Sequence, residues 1–176
     1  MKKCLLTFFV CILALLFLGM SGGCVGYRLG SMLPGNIKTV YVPTAINRTT
    51  EPRIESDVTA AVISQIQMDG SLTIVASAEQ ADSILEVVLT KFWLEPVSYK
   101  RGESSTANEY RMQISASFVL RATAADSKPV IAESPRVTGW SDFNIIGDLT
   151  TSKDTAIRPT ANDLGRRIVE RIVEYW

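Results

Sequence analysis

The chain of 176 residues contains no histidine. That removes the commonest general base and metal ligand, and with it the Ser-His-Asp and Cys-His catalytic centres. Cysteine is nearly as scarce. Cys4 and Cys11 lie inside an apolar leader, and Cys24 follows it. Once the leader is removed, Cys24 stands alone, so no intramolecular disulfide or cysteine-based metal site is possible. Neither phosphate cradle, G-x-x-x-x-G-K-[ST] or G-x-G-x-x-G, occurs. Carboxylate pairs such as Glu51 with Glu55, or Asp142 with Asp148, read as solvated surface acids. The formal net charge is +0, which offers no electrostatic footprint for nucleic acid. These absences argue against an enzyme and against a bound cofactor.

What is present begins with Lys2 and Lys3, the uncharged run "CLLTFFVCILALLFLGM" and the small residues Ser21, Gly22 and Gly23. This is the layout of a secretory signal over residues 1–23. The alternative is an uncleaved anchor, but the run from Leu5 to Met20 is shorter than the roughly 20 apolar residues a span needs. Small residues directly before Cys24 resemble the lipobox of bacterial lipoproteins, although Ser21 stands where Leu is usual. That resemblance implies acylation of Cys24 and cleavage before it. Val25, in place of an Asp that retains lipoproteins at the inner membrane, favours the outer membrane. Residues 24–35 then form an acylated tether, and 36–176 one domain of ordinary size.

Within that domain, "NIKTVYVP" (36–43) predicts a strand stopped by Pro43. Thr50 is expected to cap a helix, with Pro52 in its first turn. Ile54, Val58, Ala61, Val62 and Ile66 supply the helix's apolar stripe, and Asp69-Gly70 ends it. "LTIVAS" (72–77) predicts a strand parallel to the first, closing a βαβ crossover. The stretch Ile84 to Leu94 is apolar on both alternations, as in a central strand covered on both faces. Within 109–123 the apolar side chains from Tyr110 to Leu120 alternate with Arg111, Gln113, Ser115, Ser117 and Arg121, giving one dry face and one wet face. "KRGESSTAN" (100–108) joins the two long strands as a hairpin. A further strand near 128–143 is expected at an edge or bulged, because Pro135 lacks a ladder donor. "NIIGDLTTSKD" reads as linker, and a C-terminal helix is expected from near Arg158-Pro159, with Ala161, Leu164, Ile168, Ile172 and Tyr175 on its apolar face. The fold class is α+β: a mixed sheet of about four to five strands with two helices on one face, in the order β-α-β-β-β-β-α. The other sheet face, with Ser115, Ser117, Lys91 and Trp93, is left for a partner.

The ordered set Cys24, Gly26-Tyr27, Pro43, Asn47-Arg48-Thr49, Glu51-Pro52, Asp69-Gly70, Ala81-Asp82 and Tyr110-Arg111 resembles the lipopolysaccharide-assembly lipoprotein family LptE over roughly residues 24 to 123. The resemblance implies a lipid-anchored protein on the periplasmic face of the outer membrane. Such a protein binds an LptD-type β-barrel, sits in its lumen as a plug, and assists barrel folding and lipopolysaccharide insertion.

Phosphates on such a ligand call for Lys or Arg, so Lys100 and Arg101 at the hairpin tip, then Arg111 and Arg121, are the candidate contacts. The bland reading of all four is surface charge. Asn47 and Arg48 are expected to shape the turn before the helix. Trp93 and Trp140 could be partner anchors or core. Two rival classes are a lipoprotein regulator of a cell-wall synthase, which would need a long tether, and a periplasmic hydrolase relying on Lys or carboxylate assistance.

Overall fold

The computed structural model describes residues 33–99, 107–123 and 130–174. Cys24, the hairpin expected at 100–108 with its candidates Lys100 and Arg101, and Tyr175 lie wholly or mostly outside them. Among these residues six strands and two α-helices run in the order β1 (Thr39–Tyr41), β2 (Ile46–Asn47), α1 (Ile54–Asp69), β3 (Thr73–Ile74), β4 (Ser83–Tyr99), β5 (Ala107–Ala122), β6 (Val130–Asn144) and α2 (Leu149–Val173), with a short 3-10 turn at Ala78–Gln80 before β4. The sheet order is β3-β1-β4-β5-β6, and β2 is an additional neighbour of β4. β1 pairs with β3 and with β4 in parallel, whereas β4, β5 and β6 form an antiparallel meander. The expected parallel pair flanking α1 is therefore present.

The α1 stripe is buried at all five expected positions and ends on Gly70, whose φ of 75° lets its N–H reach the Ile66 carbonyl at 3.0 Å. Its start differs from the expectation. Thr50 is not the cap; Arg53 occupies that position in the left-handed region at φ 64°, with no side-chain cap bond. The turn is held instead by Asn47, as its sequence position suggested. Its amide donates to the Glu51 carbonyl (2.8 Å) and the Glu55 carboxylate (2.9 Å), and its oxygen accepts from the Thr49 N–H and hydroxyl. Arg48 contributes its backbone, donating to the Leu89 carbonyl at 3.0 Å. Asn47→Ala would strand these partly buried partners and is expected to cost about 1–3 kcal/mol. A urea midpoint equal to wild type would refute that role for Asn47.

α2 begins at Leu149, nine residues before the expected start, and carries Pro159 inside it. Asp148 caps it, accepting from the Thr151 N–H at 2.9 Å and its hydroxyl at 2.8 Å. Hydroxyls of Ser152, Thr155 and Thr160 bond back to carbonyls of the preceding turn. Ser141 on β6 meets the Thr160 hydroxyl at 2.6 Å, tying this polar half of the helix to the sheet. Tertiary contact thus sustains a helix that the Ser/Thr-rich pattern and Pro159 disguise.

Leu85, Val87 and Leu89 of β4 and Ile114, Ala116, Phe118 and Leu120 of β5 pack with both helical stripes in one core. The second face of β4 is not covered as expected: Ile84 and Val88 are half-buried, and Glu86 and Thr90 are exposed. A register shift between Leu89 and Lys91 explains the double apolar pattern. It moves the core face from odd to even positions, so Phe92 and Leu94 continue it. Pro135 lies, as anticipated, on an edge strand and at a register shift, between Ser134 and Val137.

Candidate functional site

The face of β4–β6 turned away from the helices is built in three transverse rows. Lys91, Ser115 and Thr138 lie abreast; next come Trp93, Gln113 and Trp140; then Glu95, Arg111 and Asp142. Side chains of paired residues share a face, so the rows form one surface. The Ser115 and Thr138 hydroxyls bond at 2.7 Å. Lys91 Nζ sits 4.3 Å from the Trp93 ring, and the Arg111 guanidinium 4.3 Å from the Trp140 ring. Gln113 donates to Glu95 at 3.0 Å. Arg111 clasps Asp142 with two bonds, Nε at 2.7 Å and Nη2 at 2.8 Å.

That clasp raises the Arg111 pKa and holds the Asp142 carboxyl below its ordinary value. The result is a flat layer of paired donors and acceptors with two indoles, Trp140 being 41% exposed. Such a surface suits a broad partner rather than a small enclosed one.

The two described candidate cations, Arg111 and Arg121, are not gathered at one place on it. Arg111 is central, but Arg121 lies ten residues along β5, about 33 Å away, where it faces Glu86 at 3.5 Å. Lys100 and Arg101 fall outside the described residues. Ser115 and Ser117 do lie on this face, as do Lys91 and Trp93. Asp142, Glu95 and Trp140 join them only through the register of β6 and the shift at Thr90, which local alternation does not reveal.

Two open clefts lie elsewhere. One of about 840 Å³, between the starts of α1 and α2, is lined by Arg53, Asp57 and Arg158 and crossed by a Lys153–Glu51 ion pair of 2.6 Å. The other, about 470 Å³, separates Arg136 to Thr138 from Arg167 and Arg171. Among the described residues no group of three or more His, Cys, Asp or Glu could hold a metal, and no helix is long and apolar enough to cross a membrane.

Among the described residues five carboxylates are held below their ordinary values, and Glu79 is lowered by its own backbone N–H and then by the Ser77 hydroxyl. Asp82 is held low by the Lys38 N–H and then by the Thr39 hydroxyl and N–H, which tie β1 to the start of β4. Asp142 is lowered by Arg111, and Asp148 by the Thr151 N–H and hydroxyl. For Asp163, burial pushes upward but is outweighed by the Trp140 N–H with Arg166 and Arg167. A folded pKa below the unfolded one gives stability that is complete above the unfolded value and is lost as pH falls through the folded value. With ordinary Asp near 3.9 and no histidine, the urea midpoint is expected to be flat from pH 5 to 8 and to fall below about pH 4. A slope across neutral pH, or an unchanged midpoint at pH 3, would contradict this.

A sequence model of the LptE family, described as lipopolysaccharide-assembly, matches residues 37–172, from just before β1 almost to the end of α2. No curated protein matches the chain significantly. Among solved structures, protein CT253 from Chlamydia trachomatis is 11% identical, with 79% of this chain and 97% of that one covered and a TM-score of 0.55. A Xanthomonas campestris protein is 13% identical, covering 78% and 86% respectively, at a TM-score of 0.50. At these identities the likeness concerns the fold.

Proposed function

Because the chain belongs to the LptE family of lipopolysaccharide-assembly proteins, we propose that it is a non-catalytic lipoprotein of the outer membrane. In this reading it is anchored on the periplasmic face through acylated Cys24, and it occupies and steadies an LptD-type β-barrel during lipopolysaccharide insertion. The observation that carries the reading is the family match across nearly the whole described domain. The polar, indole-bearing sheet face adds physical support, since a barrel lumen is polar and a protein seated in it needs a broad polar surface.

Lys100, Arg101, Arg111 and Arg121 are the proposed lipopolysaccharide contacts. Arg111 would have to share its guanidinium with Asp142, whereas Arg121 has only a longer, exposed ion pair to exchange. Regulation of a distant cell-wall synthase is the poorer fit. About fifteen residues separate Cys24 from β1, a reach of at most about 50 Å.

Depletion of the chain tests the proposal. The barrel should accumulate in an unfolded, heat-insensitive form on gels while lipopolysaccharide fails to reach the cell surface. Normal barrel folding and surface lipopolysaccharide after depletion would refute it.

A further inference from the structure

The outer edge of β4 has strand neighbours over only part of its length. β1 pairs at Ser83–Ile84 and β2 at Val88–Leu89; beyond them, among the described residues, the stretch from Lys91 to Tyr99 pairs only with β5. The direction of its backbone groups follows from the far side of the sheet. The Trp140 N–H points outward, donating to Asp163 at 3.0 Å. Trp140 and its partner Gln113 are therefore a pair without mutual backbone bonds, which turns the Gln113 N–H and C=O toward β4 and makes Gln113–Trp93 a bonded pair. Phe92 and Leu94, on either side of Trp93, consequently direct their N–H and C=O groups off the open edge. The irregularity at Thr90 and Pro96, which has no N–H, bound this window.

The window is complementary to itself. Lys91 and Glu95 lie on one face, two residues to either side of Trp93. We infer that β4 pairs antiparallel with β4 of a second copy about a two-fold axis at Trp93. In that register Phe92 bonds Leu94 of the second copy through both backbone groups, and Leu94 bonds Phe92 likewise. Lys91 stands opposite Glu95 twice, and Trp93 stands opposite itself in a close, non-bonded pair.

Registers centred on Lys91 or Glu95 would set like charges opposite one another and are disfavoured. Lys91 already leans on the Trp93 ring and Glu95 on Gln113, so both charges are held on the pairing face. The arrangement is isologous and closes at two chains, with Pro96 limiting growth along the edge. This concerns the chain alone and does not rest on the barrel reading.

Disulfide trapping of the full-length lipidated chain in detergent tests it. Cβ atoms of a non-bonded antiparallel pair lie within disulfide reach. Trp93→Cys is therefore expected to run at twice the monomer mass on non-reducing gels, while wild type does not. Lys91→Cys and Glu95→Cys should dimerise little alone but cross-link when mixed, a second route should Trp93→Cys fail to fold. In the Trp93→Cys background, Lys91→Glu should lower the dimer yield several-fold, and adding Glu95→Lys should restore it. Equal dimer yields at all three positions, no dimer at either Trp93→Cys or the mixed pair, or capture of a different protein at Trp93→Cys would overturn the inference.

Discussion

Gly139→Ala is expected to destabilise the domain by about 3 kcal/mol, at the upper end of the range for overpacked cores. A Cβ at Gly139 would lie 2.5 Å from both Cα and Cβ of Leu164 and closer still to its nitrogen. The obstacle is helix backbone, which cannot rotate aside as a side chain can. α2 is also fastened at this point, since the next strand residue, Trp140, donates its N–H to Asp163, one residue before Leu164. Accommodating the methyl would mean lifting the helix and withdrawing buried Leu164 and Ile168 from the core. At about 2–4 °C per kcal/mol for a domain of this size, thermal unfolding should drop by roughly 6–12 °C.

Two glycines calibrate this result. Gly165→Ala meets the Ala61 and Val62 backbone at 3.0–3.1 Å, but it also gains about 1 kcal/mol of helix propensity, so its net change should be small. Gly35→Ala meets nothing within 4 Å and should be neutral. A Gly139→Ala transition within 1 °C of wild type would contradict the close helix–strand packing.

Cys24→Ala is expected to have the largest effect in the cell. Anchoring by acyl chains contributes about 0.8 kcal/mol per buried methylene, and a lipoprotein cysteine that carries more than one chain is held stably. Without the thiol the proposed attachment point is gone, and Cys4 and Cys11 lie in the proposed signal. The variant should incorporate no labelled palmitate and should vanish from the outer-membrane fraction of a density gradient, while its secreted domain folds normally. Retention of label, or an unchanged outer-membrane fraction, would remove the lipid anchor from the account.

Most of the fold was legible where side-chain period and burial coincide. The α1 stripe, Gly70 as its stop, the wet and dry faces of β5 and the bulge-prone Pro135 are all local patterns. The start of α2 was not, because Ser152, Thr155 and Thr160 look like loop residues until Ser141 and Asp148 are placed beside them. The Thr90 irregularity was hidden as well. Insertion of one residue converts two half-faces into an apparently continuous apolar run, so β4 looked covered on both sides. The candidate surface was half legible: alternation put Arg111, Gln113 and Ser115 on one face. Joining them to Asp142 and Trp140 required the β5–β6 register, which is set by contacts some thirty residues apart in the chain.

Occupancy of a barrel by this chain is checked by copurification from mildly solubilised outer membranes, with partners identified and counted by mass spectrometry. One large β-barrel protein should be recovered at one-to-one ratio with this chain. Recovery of a cell-wall synthase, or of no barrel at all, would contradict it.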